Sequence, residues 1–255
     1  MARSSGGKIV TDGLVLALDA ANDKSYPGTG TTWTDLSGNG TDGTLVNGVG
    51  YSSVNGGGSL TFDGVNDGVQ LSGTNLSLNQ MTISCWNYSS NYQQNGFMFE
   101  KTTNGSVNTQ YSLFYNSGNI IYYRTYGLST TDLIVNTTTA GVVNNKWNNV
   151  VATWDGTNKK IYVNGILRVT SATLTGTVTQ NTTGAAYIGI YGNFGGYPFN
   201  GNVSQTQIYN RALTADEVLQ NYNATKYRFV IVLPPVPIGD PGPDGPDPPP
   251  LEVAP

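Results

Sequence analysis

Hydrophobic and polar positions alternate with a period of two in segment after segment of this chain, most cleanly in WNNVVATWDGTNKKIYVNG, residues 147–165. Val150, Ala152 and Trp154 alternate there with Asn149, Val151 and Thr153, and Ile161 and Val163 alternate with Lys160 and Tyr162. A strand that covers a core with one face repeats in this way, so the segment predicts a half-buried β-hairpin. Asp155-Gly156 supplies its turn, and a second turn at Asn164-Gly165 leads to a third short strand through Arg168.

Further strands are predicted in GLVLALDA, TTWTDLSGNGTDGTLVNG, SLTFDGVNDGVQL, MTISCWNY, GFMFEK, QYSLFYN, NIIYYRTY, AAYIGIYG and FNGNVSQTQIYN, separated by Asn-Gly, Asp-Gly and Gly-Gly steps that make turns. Cys85 in MTISCWNY fits either strand face. Thr214-Ala-Asp-Glu217 has the spacing of a capping box, which predicts a short helix to about Asn221 with Val218, Leu219 and Tyr222 on its apolar side. RFVIVL then reads as a terminal strand or an extended docking segment.

The ends break the pattern. Residues 1–12 carry Ser4, Ser5, Gly6 and Gly7 and are expected to be a flexible arm unless a neighbour captures them. Ten of the twelve prolines lie from Pro234 onward, so residues 229–255 are expected to be an extended, Pro-rich acidic tail. Within it, three successive G-X-Y triplets start at Gly239, Gly242 and Gly245, a register too short to specify a triple helix alone. Residues 13–228 remain as one domain.

Composition narrows the chemistry. Only 11% of residues are charged, against about 25% in an ordinary globular domain, and Gly, Asn, Thr and Ser with 16 Tyr favour short strands and tight turns. Net charge is −4, and Asp240, Asp244, Asp247 and Glu252 lie beyond Leu233, where no Lys or Arg occurs, so the body balances at zero. Without clustered basic residues, nucleic acid is not an expected partner. No apolar run approaches the roughly 18 residues of a membrane span, and the N-terminal run from Leu14 to Leu18 is too short to read as a secretion signal. The single cysteine makes no intrachain disulfide.

Four segments, in order, resemble the laminin-G or concanavalin A-like jelly-roll family: GLVLALDAAN with WTDLSGNGTDGTL, SLTFDGVNDGVQL, the hairpin, and FNGNVSQTQIYNRALTADEVLQNY. The resemblance covers roughly residues 13–226. It implies an all-β, two-sheet antiparallel jelly-roll sandwich with one short C-terminal helix, followed by the Pro-rich tail. LALDAAN…SYPGTGTTWTDLSGNG and IYNRALTADEVLQNYNATK are most similar to proteins of tailed bacteriophages. That implies a non-enzymatic virion structural protein, made in the host cytoplasm and displayed on the virion surface as capsid decoration anchored through its arms, with tail fibre as the second location. Its partners would be other virion proteins, further copies of itself as a homo-oligomer, and a host-surface glycan. The alternative is a carbohydrate-binding, lectin-like module for adhesion.

The candidate chemistry fits a non-enzyme. A glycoside hydrolase needs two carboxylates flanking the scissile bond, about 5–9.5 Å apart; no acid pair here is spaced by two, Asp63 and Asp67 fall among Gly64, Asn66 and Gly68 in a turn, and Asp216-Glu217 belongs to the helix cap. Without histidine no Ser-His-Asp arrangement is possible, and Cys85 has no partner base. Pentraxin-type relatives carry acidic calcium ligands in loops that correspond here to Lys101–Gln110 and Ile190–Tyr197, which hold no Asp or Glu. No metal or cofactor is therefore expected, and Asp63, Asn66 and Asp67 read as a turn that bonds its own backbone. For sugar binding, Tyr191, Asn193, Phe194 and Tyr197 offer aromatic rings beside an amide in a glycine-rich loop, unless those rings pack on the sheet or a neighbouring subunit. Tyr122, Tyr123 and Tyr126 form a second candidate.

Overall fold

Each of the period-two segments contains a strand in the computed structural model, which describes residues 7–72, 74–102, 109–180, 182–192 and 196–229. The first eight strands are β1 (Leu14–Asp19), β2 (Thr32–Trp33), β3 (Gly43–Val46), β4 (Gly50–Ser52), β5 (Ser59–Asp63), β6 (Gly68–Leu71), β7 (Met81–Ser89) and β8 (Gly96–Thr102). The next eight are β9 (Thr109–Asn116), β10 (Ile120–Thr125), β11 (Asp132–Asn136), β12 (Lys146–Trp154), β13 (Lys159–Val163), β14 (Ile166–Thr170), β15 (Ala186–Ile188) and β16 (Asn200–Tyr209). Two helices join them, α1 (Thr137–Ala140) and α2 (Ala215–Thr225).

The strands form two antiparallel sheets of eight, a jelly-roll-like sandwich. The first has the order β14-β13-β12-β7-β16-β5-β4, and the second β11-β10-β9-β8-β15-β6-β3-β2. In the first sheet β16 pairs with β7 along one edge, while β5 and β1 share its other edge end to end. The inward faces meet in one core, to which the predicted hairpin contributes Val150, Ala152, Trp154, Ile161 and Val163. Cys85 falls on this face, fully buried.

The hairpin departs from the half-buried expectation because its other face is covered too. Val151 and Tyr162 pack with Val10, Tyr209, Leu213 and Val218 in a second apolar cluster. α2 supplies the cover, and its capping box forms as predicted: Glu217 N–H donates to Thr214 Oγ1 at 3.2 Å and Thr214 N–H to Glu217 Oε2 at 2.8 Å. Arg211 clamps the same carboxylate at 2.6 and 2.8 Å. Leu219 is not on the packed side; it is exposed. Residues 7–12 are captured by this helix and by β16: Val10 N–H donates to Asn221 Oδ1 at 2.8 Å, and the Tyr209 hydroxyl to Val10 O at 3.0 Å.

Asp35, in the WTDLSGNG segment, is buried and ties that turn to β1. Its Oδ1 accepts the Ala17 and Ser37 N–H groups and its Oδ2 the Thr41 N–H. β4, β11 and α1 were not anticipated: Gly50–Ser52 carries a single apolar residue, and Leu133, Ile134 and Val135 make too short a run to stand out between polar links. The expected terminal strand does not begin at Arg228: Lys226–Arg228 is a 3₁₀ turn, and Phe229 stacks on Trp86 at 4.1 Å. Residues 1–6 and 230–255, including the G-X-Y triplets, lie outside the described residues. Among those described, no helix is long and apolar enough to cross a membrane.

Candidate functional site

The site is built on the outward face of the second sheet. Residues directly opposite one another in antiparallel strands share a face, and Phe97, Phe114, Tyr122 and Ile134 are opposite one another across β8, β9, β10 and β11. The three rings form a ladder, Phe97 to Phe114 at 4.5 Å and 8°, Phe114 to Tyr122 at 5.0 Å and 14°. One row along the strands, Tyr187, Glu100, Ser112, Arg124 and Asp132 are opposite one another across β15, β8, β9, β10 and β11.

A β-bulge brings the two rows together. The register of β8 against β9 shifts between Phe97 and Phe99, so Met98 and Phe99 both enter the core. Phe97 and Glu100, three apart, then share the outer face. Uninterrupted alternation would have put them on opposite faces.

Glu100 is fully buried and holds the aromatic loop to the sheet. Its Oε2 accepts the Gly192 N–H at 2.6 Å and its Oε1 the Thr109 hydroxyl at 2.7 Å. Burial pushes this carboxyl above the usual range, and the two hydrogen bonds and Arg124 oppose that shift. The loop leaves β15 at Gly189, whose φ is +84° and whose α-carbon faces Phe62 so closely that a Cβ would lie 2.3 Å from the ring. It is closed by Gly189 N–H to Phe97 O, Phe199 N–H to Gly189 O and Tyr191 N–H to Gly196 O, at 3.0, 2.7 and 3.0 Å.

These constraints set Tyr191 and Tyr197 at the end of the ladder. Tyr191 lies 5.2 Å from Phe97, and Tyr197 stands edge-on to Tyr191 at 5.9 Å. A cleft of about 610 Å³ opens beside them, lined also by Asn95, Asn116, Ser117 and Arg124. Arg124 crosses the Phe114 ring at 5.2 Å and binds Asp132 through two nitrogens at 2.7 and 2.9 Å. Its charge is thus compensated on the sheet, and that pairing raises the guanidinium pKa further. The Tyr191 phenol is also shifted up, by burial first and then by the nearby Glu100 carboxylate.

Of the four predicted sugar-binding residues, Tyr191 and Tyr197 border this cleft, while Asn193 and Phe194 lie outside the described residues. The second candidate divides: Tyr122 belongs to the ladder, whereas Tyr123 is fully buried in the core. Phe97, Phe114, Arg124, Asn95 and Asn116 were missed. The alternation in QYSLFYN and NIIYYRTY carried a signal for Phe114 and Arg124, but only register places them beside the loop.

A model of the concanavalin A-like lectin/glucanases superfamily matches residues 62–219. Among solved structures, domain 4 of an extracellular GH43 arabinanase from Geobacillus stearothermophilus, in complex with arabinotriose, has a TM-score of 0.62 at 17% identity, covering 82% of this chain and 98% of that one. The receptor binding domain of botulinum neurotoxin type G has a TM-score of 0.60 at 19% identity, covering 83% of this chain and 51% of that one. A Trypanosoma rangeli sialidase has 0.60 at 18%, covering 85% and 33%. The chain thus spans about half of the toxin domain and a third of the sialidase, and at these identities the likeness is one of fold. No curated protein matches in sequence.

Proposed function

The chain belongs to the concanavalin A-like lectin/glucanases superfamily, and from that premise we propose that it is a non-catalytic carbohydrate-binding module whose ligand is a neutral glycan held in the Tyr191–Tyr197 cleft. The observation that carries this reading is the half-exposed Tyr197 ring at the end of an aromatic ladder, beside Asn95, Asn116 and Arg124. Sugar rings stack on such faces, and amides and guanidinium N–H groups satisfy their hydroxyls. Neutral ligands are favoured because Asp132 already compensates the charge of Arg124.

Binding rather than hydrolysis is supported by how the acids are engaged. Both Glu100 oxygens are occupied, both Asp132 oxygens face Arg124, and the described residues lining the cleft include no acid. The arabinotriose-bound neighbour supports a carbohydrate ligand. Of the two functions expected from the sequence, the lectin-like alternative gains this support, while the virion structural role rests on sequence resemblance alone. Display on a virion surface stays within the proposal as the setting in which such a module would meet a host glycan.

A glycan array probed with the full chain tests the reading. Neutral glycans should be retained, and Tyr191→Ala should weaken them about tenfold, the loss of roughly 1.4 kcal/mol. An array on which the unaltered protein retains nothing would overturn the proposal, and exclusive retention of acidic glycans would overturn the neutral class.

A further inference from the structure

The hydrogen-bonding groups around the Tyr191–Tyr197 cleft are unevenly spent, and the imbalance narrows what a glycan must bring to it. Asn95 Oδ1 accepts the Ser117 N–H at 2.9 Å, and Asn116 Oδ1 accepts the Ser117 hydroxyl at 3.1 Å. A backbone N–H can only donate, so the first contact settles which end of the Asn95 amide is oxygen. Asp132 takes Arg124 Nε on one oxygen and Nη2 on the other. The carbonyl and carboxylate oxygens are thus engaged, and the N–H groups are left: among the described residues, Asn95 Nδ2, Asn116 Nδ2 and Arg124 Nη1 have no partner.

These donors flank the apolar part of the site. Asn116 lies two residues beyond Phe114 and shares its face of β9, with Asn95 bonded to the same turn, while Arg124 lies two beyond Tyr122 on β10 and crosses the Phe114 ring. All three border the cleft together with Tyr191 and Tyr197. A ligand that fills it must bring acceptors to N–H groups and an apolar group to the tyrosine rings. A sugar hydroxyl accepts, but its own proton then needs an acceptor where the side-chain oxygens are already engaged. A carbonyl oxygen accepts two N–H groups and has no proton to place. A carboxylate also accepts, but it would add a second negative charge to an Arg124 that Asp132 already neutralises.

We propose that the glycan held in this cleft carries an acetamido group, as an N-acetylhexosamine does, whose carbonyl oxygen accepts from Asn95 Nδ2 and Asn116 Nδ2 and whose methyl group packs on the tyrosine rings. The inference rests on the reading of the cleft as a glycan site and specifies the ligand of that site. An acetamido sugar stays neutral and puts a carbonyl and a methyl where a plain hexose has one hydroxyl. Its amide is trans, so its N–H points away from the donors that its carbonyl meets. Arg124 Nη1 then serves a hydroxyl or ring oxygen of the same sugar.

The test is the full chain on a glycan array at pH 7, read within matched pairs: N-acetylglucosamine and N-acetylgalactosamine glycans against glucose and galactose glycans of the same linkage, with uronate glycans as the acidic arm. The acetamido member of a pair should be retained about tenfold more strongly or better. Calorimetry with the best-retained glycan then compares the unaltered chain with Asn95→Asp, which keeps an oxygen for the Ser117 N–H and exchanges the free donor for an acceptor. Asn95→Asp should keep the Tm and bind about tenfold more weakly; should it alter the Tm, Asn116→Asp supplies the same comparison. Retention confined to plain hexoses or uronates, or equal within pairs, overturns the acetamido assignment and leaves glycan binding standing, whereas retention of no glycan overturns the reading beneath it. Unchanged or tighter binding in the aspartate variant means that the ligand donates at this position, and overturns the proposal.

Discussion

Replacing Tyr197 by glycine should separate ligand binding from stability. Tyr197 holds φ at +49°, and left-handed backbone costs an L side chain on the order of 1–2 kcal/mol that glycine does not bear. Against that relief stand two ring contacts, with Tyr191 at 5.9 Å and Phe97 at 6.2 Å, each about 0.5–1.5 kcal/mol when fully formed. Tyr197 is 53% exposed, so the lower bound applies, about 1 kcal/mol for the pair. Tyr197→Gly should therefore match the unaltered protein to within about 1 kcal/mol. Tyr197→Ala loses the rings and keeps the strain, and should be less stable than the glycine variant by about 1 kcal/mol. Both should bind the array-selected glycan about tenfold more weakly. Urea unfolding and calorimetric titration of the three proteins check this. A glycine variant less stable than the alanine one would refute the backbone reasoning, and unchanged affinity in both would remove the ring from the contact.

Three further outcomes follow from the same structure. Hydrogen bonding from Arg211, first, holds the Glu217 carboxyl down to about 2. Its stabilisation is complete above the ordinary carboxylate range and fades as pH falls from about 4.5 towards 2, amounting to about 1–2 kcal/mol after discounting for partial exposure; Glu217→Gln should flatten that part of the stability–pH curve. Phe229→Ala should cost about 3–5 kcal/mol and change the tryptophan emission, because its ring lies 4.1 Å from Trp86 and 5.0 Å from Trp147; unchanged emission and stability would remove it from the aromatic cover of the first sheet. Burial pushes the Cys85 thiol up to about 12, so a thiol reagent at pH 8 should react only as fast as the protein unfolds, and rapid native labelling would contradict its placement in the core.

The sequence alone determined most of the strands, the capped helix and the family, because each rests on local chemistry. Alternation marks a strand wherever one face meets a core, Asn-Gly and Asp-Gly set turns by their tolerance of unusual φ, and Thr214 with Glu217 closes a cap within four residues. It also singled out Tyr191 and Tyr197 as candidates, since aromatics in a glycine-rich loop are visible without partners, and both border the cleft. Tertiary structure decided what surrounds them. Register across β8, β9 and β10 put Phe97, Phe114 and Tyr122 in one ladder. The bulge at Met98 turned Phe97 and Glu100 to the same face, and no local signal in GFMFEK announces the shift. Buried Glu100 and the Gly192 amide are 92 positions apart, as Asp132 is separated from the loop it helps to frame. The covered outer face of the hairpin likewise depended on residues from both ends of the domain. Period-two patterning states which face of a strand is apolar; it does not state what arrives to cover the other one.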